Sequence, residues 1–104
     1  ERVSSLKLEI LLQNLSKTVL GKAPLLLRNY LKLVDIWLDF SGSQMTDDIL
    51  ANLAKVMKEL KYLEEAVLCF VKCPNLSDNA SAIFYDALGQ HRNGPYIELG
   101  CSNH

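Results

Sequence analysis

The stretch from Pro24 to Phe40, PLLLRNYLKLVDIWLDF, constrains this chain more than any other. Its charged members Arg28, Lys32, Asp35 and Asp39 recur at i, i+4, i+7 and i+11, one narrow stripe at 3.6 residues per turn. Leu25, Leu26, Leu27, Tyr30, Leu31, Leu33, Val34, Ile36, Trp37, Leu38 and Phe40 fill nearly everything else. A helix apolar round most of its circumference needs neighbours on several sides. The segment is too short and too charged to cross a bilayer, which takes about 20 mostly apolar residues. The spacing therefore predicts a central helix over 24–40, enclosed in an all-α bundle of four to five helices.

The flanking segments extend that reading. Leu8, Leu11, Leu12, Leu15 and Val19 have helical spacing, predicting an amphipathic helix over 3–20 that Ser4 or Ser5 caps and Gly21 ends. Ser41-Gly42-Ser43 is the clearest break. Thr46 then serves as an N-cap, with Asp47 and Asp48 in the first turn, where carboxylates suit the positive helix end. The apolar positions Ile49, Leu50, Leu53, Val56, Met57, Leu60, Leu63, Val67 and Phe70 predict one helix from there to Lys72, kinked or straight. Cys73-Pro74 stops it, because the residue before proline is pushed out of the α region. Ser77 caps a last helix with Ala80, Ile83, Phe84, Ala87 and Leu88 on its buried face and Gly89 as its stop. Residues 3–92 are read as one domain and 93–104 as an irregular tail with an extended Tyr96–Leu99. No internal repeat stands out.

A chain of 104 residues with a hydrophobic share of 49% can bury a core without staples. The net charge is −1 and the basic residues are spread out, so direct nucleic-acid binding is not expected; no segment predicts membrane insertion. Without an initiator Met the sequence reads as a fragment. Cys69, Cys73 and Cys101 are odd in number, which favours a reducing, intracellular compartment. The N-x-S sequences at Asn14, Asn75 and Asn79 support the alternative of secretion. Cys69, Cys73, His91, Cys101 and His104 match no familiar zinc spacing, so neither metal nor cofactor is expected. His91 reads as a solvated surface residue with no nucleophile elbow near it, and the chain as no enzyme. Trp37 and Tyr30 read as core by default, with an aromatic partly lining a groove as the functional alternative. The apolar run from Phe70 to Leu76 sits at a helix end and turn, where it either plugs the core or lines a shallow pocket.

Gln44-Met45-Thr46, Leu60-Lys61-Tyr62-Leu63 and a final helix with Ala82, Phe84-Tyr85 and Leu88 follow one another in an order that resembles the TFIIS N-terminal-domain superfamily. Within it, the pattern is most similar to the LEDGF-type integrase-binding domain, over roughly residues 5–90. The resemblance implies a non-enzymatic, nuclear scaffold in transcription or chromatin, which captures a disordered segment with an acidic lead and a Phe-x-Gly-Phe core. Two interhelical loops would do so, here Leu20 to Pro24 and Phe70 to Leu76, with Leu20, Lys22, Phe70, Val71, Lys72 and Leu76 as the partner-binding residues. The chain departs from the family where Lys22 replaces an acidic residue and Glu64-Glu65 replaces a basic cluster. A secreted helical signalling domain is one rival. A self-associating or homodimeric piece of a larger helical scaffold is the other.

Overall fold

Alternation at period two, rather than helical spacing, governs the middle of the chain. Ile36 and Leu38 are buried while Trp37 between them is 43% exposed, the pattern of a strand with one covered face. The computed structural model describes residues 6–11, 21–28 and 32–100. Its elements are β1 (Leu6–Leu11), α1 (Ala23–Arg28), β2 (Leu33–Asp39), α2 (Asp47–Lys58), β3 (Glu65–Cys69), α3 (Ala80–Leu88) and β4 (Tyr96–Leu99). The fold is α/β, and the all-α helical bundle expected above is not formed.

Residues 24–40 divide into a short helix, a connection and a strand. A near-continuous apolar run is as much the mark of a strand in a parallel sheet as of a buried helix. Val34, Ile36 and Trp37 tip the balance toward the extended form, where branched and aromatic side chains fit the pleat. The helix expected over 3–20 is replaced at Leu6–Leu11 by β1, and residues 12–20 lie outside the described part of the chain.

The helix expected from Thr46 to Lys72 starts where predicted and ends early. Thr46 Oγ1 accepts the Ile49 amide at 3.2 Å and closes the first turn. At the other end Glu59 donates to Val56 O and Leu60 to Met57 O, the i→i−3 bonds that tighten a last turn. Leu60 and Leu63 are fully buried and anchor the connection, after which β3 begins. Thr46→Ala is expected to cost about 1 kcal/mol in chemical denaturation, the usual worth of a lost N-cap oxygen. The last helix runs from Ala80 to Leu88 with Asn79, not Ser77, at its N-cap position, and Gly89 ends it as predicted, at φ +62°.

The four strands are parallel and lie in chain order, β1-β2-β3-β4. Lys7 pairs with Asp35, twenty-eight positions on; Asp35 pairs with Glu65, thirty on; Glu65 pairs with Tyr96, thirty-one on. A strand–helix unit of nearly constant length therefore recurs, although no repeat was expected. Crossovers of one hand between successive neighbours place every helix on the same face of a sheet, and α1 packs on α2 and α2 on α3. The core fills the space between the layers, with Leu27, Ile36, Leu38, Leu50, Leu53, Met57, Ala66, Leu68 and Phe84 in one cluster. Tyr96–Leu99, extended as expected, is paired with β3, and the Gly100 amide adds a bond to Leu68 O at 2.9 Å.

Candidate interaction surface

Among the described residues, the helices cover one side of the sheet and leave the other bare. On β2 the side chains that alternate away from the core are Asp35, Trp37 and Asp39, and on β3 they include Glu65 and Val67. On β4 they are Tyr96, 59% exposed, and Glu98. Register sets them in rows: Asp35, Glu65 and Tyr96 lie side by side, and so do Trp37, Val67 and Glu98. Neighbouring strands are about 4.8 Å apart, so each row is a continuous strip of side chains. All-parallel sheets are ordinarily covered on both faces. A bare face that carries the chain's one tryptophan is therefore unusual among the described residues.

Its chemistry has one sign. Every charged residue of β2, β3 and β4 is a carboxylate: Asp35, Asp39, Glu65 and Glu98. Asp39 accepts the Ser41 amide at 3.0 Å, and Glu98 accepts the Tyr96 hydroxyl at 3.4 Å. Asp35 and Glu65 stand directly opposite each other in register. Like charges in that position oppose strand pairing.

The two loops expected to bind a partner together belong to separate parts of the structure. Leu20 lies outside the described residues. Lys22 is exposed in the turn that leads into α1, beside a cavity of about 230 Å3 between Pro24, Leu25 and Arg28 on one side and Asn52, Lys55 and Val56 on the other. The Phe70–Leu76 loop follows β3. Phe70 and Leu76 pack partly buried against the core, and with Lys72, Cys73, Pro74, Ser77 and Ala80 they line an open groove of about 540 Å3. Both alternatives for this run, plugging the core and lining a pocket, are thus realised by the same side chains. Val71 is half-buried, and Lys72 is exposed in the left-handed region at φ +59°.

This loop is tied to the preceding one by bonds that repeat the sheet register beyond the strands. Phe40 N donates to Cys69 O at 2.7 Å, Gly42 N to Val71 O at 2.8 Å, and Val71 N to Ser41 Oγ at 3.0 Å. The buried, free Cys73 thiol donates to Phe40 O at 3.1 Å. Asn75 Nδ2 donates to Gln44 Oε1, and the Ser77 amide to Asp47 Oδ1, each at 3.0 Å. Cys69 is disulfide-bonded.

Two single residues are placed otherwise than expected. Trp37, read as core, stands on the bare face. His91, read as solvated, is buried, with Nε2 3.1 Å from Met57 O and 3.0 Å from Leu60 O. Carbonyls only accept, so Nε2 carries the proton, and Nδ1 is left to accept the Asn93 amide at 3.0 Å. All of the ring's hydrogen bonds go to backbone. Tyr30 lies outside the described residues, as do Cys101 and His104. The face residues Asp35, Glu65, Val67, Tyr96 and Glu98 were not singled out from sequence. Their signal was the period-two alternation of Asp35, Trp37 and Asp39, which also fits a helical stripe. No family model, no curated protein and no solved structure matches this chain.

Proposed function

We propose that this chain is a non-enzymatic protein-interaction module, a β/α solenoid segment that docks a partner protein on the bare face of its sheet. Stacked strand–helix units of about this length build solenoids such as leucine-rich repeats, whose open sheet face is an extended surface for partners. Leu33-x-x-Ile36-x-Leu38 and Leu63-x-x-Ala66-x-Leu68 repeat the spacing of apolar residues that such strands use. One observation carries the reading: an uncovered parallel face with exposed Trp37 and Tyr96, in a protein whose other layer is a filled core. Large aromatics anchor interfaces because they bury much area for little lost freedom.

A photo-reactive p-benzoylphenylalanine placed at Tyr96, with the same group at Tyr85 as control, tests this directly. Tyr85 is comparably exposed but belongs to α3 in the helix layer. In cells, a discrete adduct to one partner protein is expected from position 96, and it disappears in Trp37→Ala. An adduct from position 85 alone, or one from position 96 that survives Trp37→Ala, overturns the reading.

A further inference from the structure

The bare face also specifies what can cover it. We infer that its occupant is a cationic, arginine-rich segment of a partner protein, laid across Asp35, Trp37, Glu65, Tyr96 and Glu98; this rests on the interaction reading above. Three observations converge. The strands β2 to β4 hold no lysine, arginine or histidine, so their part of the face offers carboxylates and aromatic rings and no basic group. Among the described residues, Asp35, Glu65 and Glu98 are in no ion pair. Trp37 stands between Asp35 and Asp39 on one strand, so a flat cation on the indole would have a carboxylate near its edge.

Arginine fits that arrangement better than lysine does. Its guanidinium stacks on an aromatic face and at the same time presents a planar fork to a carboxylate. The Asp35–Glu65 pair points the same way. Two carboxylates held opposite each other in register weaken the sheet, and a cation placed between them removes that repulsion. The same charges argue against other occupants. A second copy of this face would bring carboxylate against carboxylate, and nucleic acid or an anionic membrane would be repelled. On β1, the backbone register pairs Lys7 with Asp35 and Glu9 with Trp37.

Because Trp37 is the sole tryptophan, its fluorescence reports on this face alone. The test titrates the whole chain with equal-length peptides of alternating arginine–serine, lysine–serine, glutamate–serine and tyrosine–serine. Saturable quenching is expected with the arginine peptide, weaker quenching with lysine, and none with glutamate. Affinity should fall several-fold as salt is raised toward about 0.5 M, since screening shortens the reach of exposed charges. The double variant Asp35→Asn, Glu65→Gln is expected to lose at least tenfold in affinity. Glu65→Lys should abolish binding while raising Tm by about 2–5 °C, because it turns a repulsive cross-strand pair into an attractive one. Quenching by the tyrosine peptide without any by arginine would overturn the cationic partner and leave the interaction reading standing. Silence of Trp37 toward all four peptides would remove both. Arginine binding undiminished in the double variant would overturn the assignment to this face.

Discussion

Leu38→Thr is expected to cost about 3–5 kcal/mol, and Trp37→Thr, one residue away, about 1–2 kcal/mol. Threonine is at home in a strand, so the local extended preference is kept in both variants. What differs is the side of the sheet. Leu38 is 1% exposed and sits in the cluster between the layers. Its replacement loses the transfer and packing energy of a large aliphatic, about 2–5 kcal/mol, and leaves a hydroxyl in an apolar site. That is a large share of the roughly 5–15 kcal/mol that holds a domain folded. Trp37 is 43% exposed with no layer above it among the described residues, and its loss opens no enclosed cavity. Urea denaturation followed by far-UV circular dichroism measures both without relying on the indole. Equal, large losses would return Trp37 to the core and restore the helical reading of residues 24–40.

That contrast marks where the sequence is ambiguous. Helix α2 was readable at its start because three independent signals agree at Thr46, Asp47 and Asp48: an N-cap oxygen, two carboxylates at the positive end, and an apolar stripe behind them. Helix α3 was readable at its end, with Gly89 as its stop, but not at its start, where Asn79 without a side-chain cap bond stands in the place expected of Ser77. Residues 60–72 have no such punctuation. Leu60, Leu63, Val67 and Phe70 have helical spacing, yet Ala66 and Leu68, two apart, are the pair that β3 buries. Periodicity does not separate the two for a short apolar run. At 33–39 the polar residues Asp35 and Asp39 are four apart, which satisfies a helical stripe and a strand face equally. The repeat stayed hidden for a related reason. Only a few apolar positions recur in each unit, and the intervening helices share little sequence.

The shape of one candidate surface was legible in part. The Phe70–Leu76 run does line a groove, because apolar side chains at the end of a strand have only the edge of the core to rest on. Its supposed companion at Lys22 belongs to another unit. Pairing the two required a helical bundle in which both loops meet at one end. The bare face could not be assembled from sequence, since Asp35, Glu65 and Tyr96 are some thirty positions apart and become neighbours only through register.

His91→Ala is expected to cost about 2–4 kcal/mol, although the residue lies in a connection between α3 and β4. The ring bridges two turns on the side of the sheet where strands begin. Nε2–H reaches Met57 O and Leu60 O, where α2 ends, while Nδ1 holds the Asn93 amide. Asn93 in turn donates from Nδ2 to Leu63 O at 2.7 Å, just before β3. Removing the ring breaks its buried hydrogen bonds, worth about 0.5–1.5 kcal/mol each, and empties its volume, while Met57 O keeps the Leu60 amide and Leu60 O the Leu63 amide. His91→Phe fills the volume without donating and should restore little. His91→Gln carries an amide that reaches the same carbonyls and should restore about half. If phenylalanine rescues stability fully, the ring acts by packing and the hydrogen-bond account fails. The consequence for binding follows from position. β4 pairs with β3 and supplies Tyr96 and Glu98 to the bare face. A chain that keeps its core but loosens this clamp should exchange the Tyr96 amide, bonded to Glu64 O at 2.9 Å, faster than the β2 amides. Affinity for an arginine peptide should then fall with Trp37 still in place, which separates holding the face together from contacting the partner.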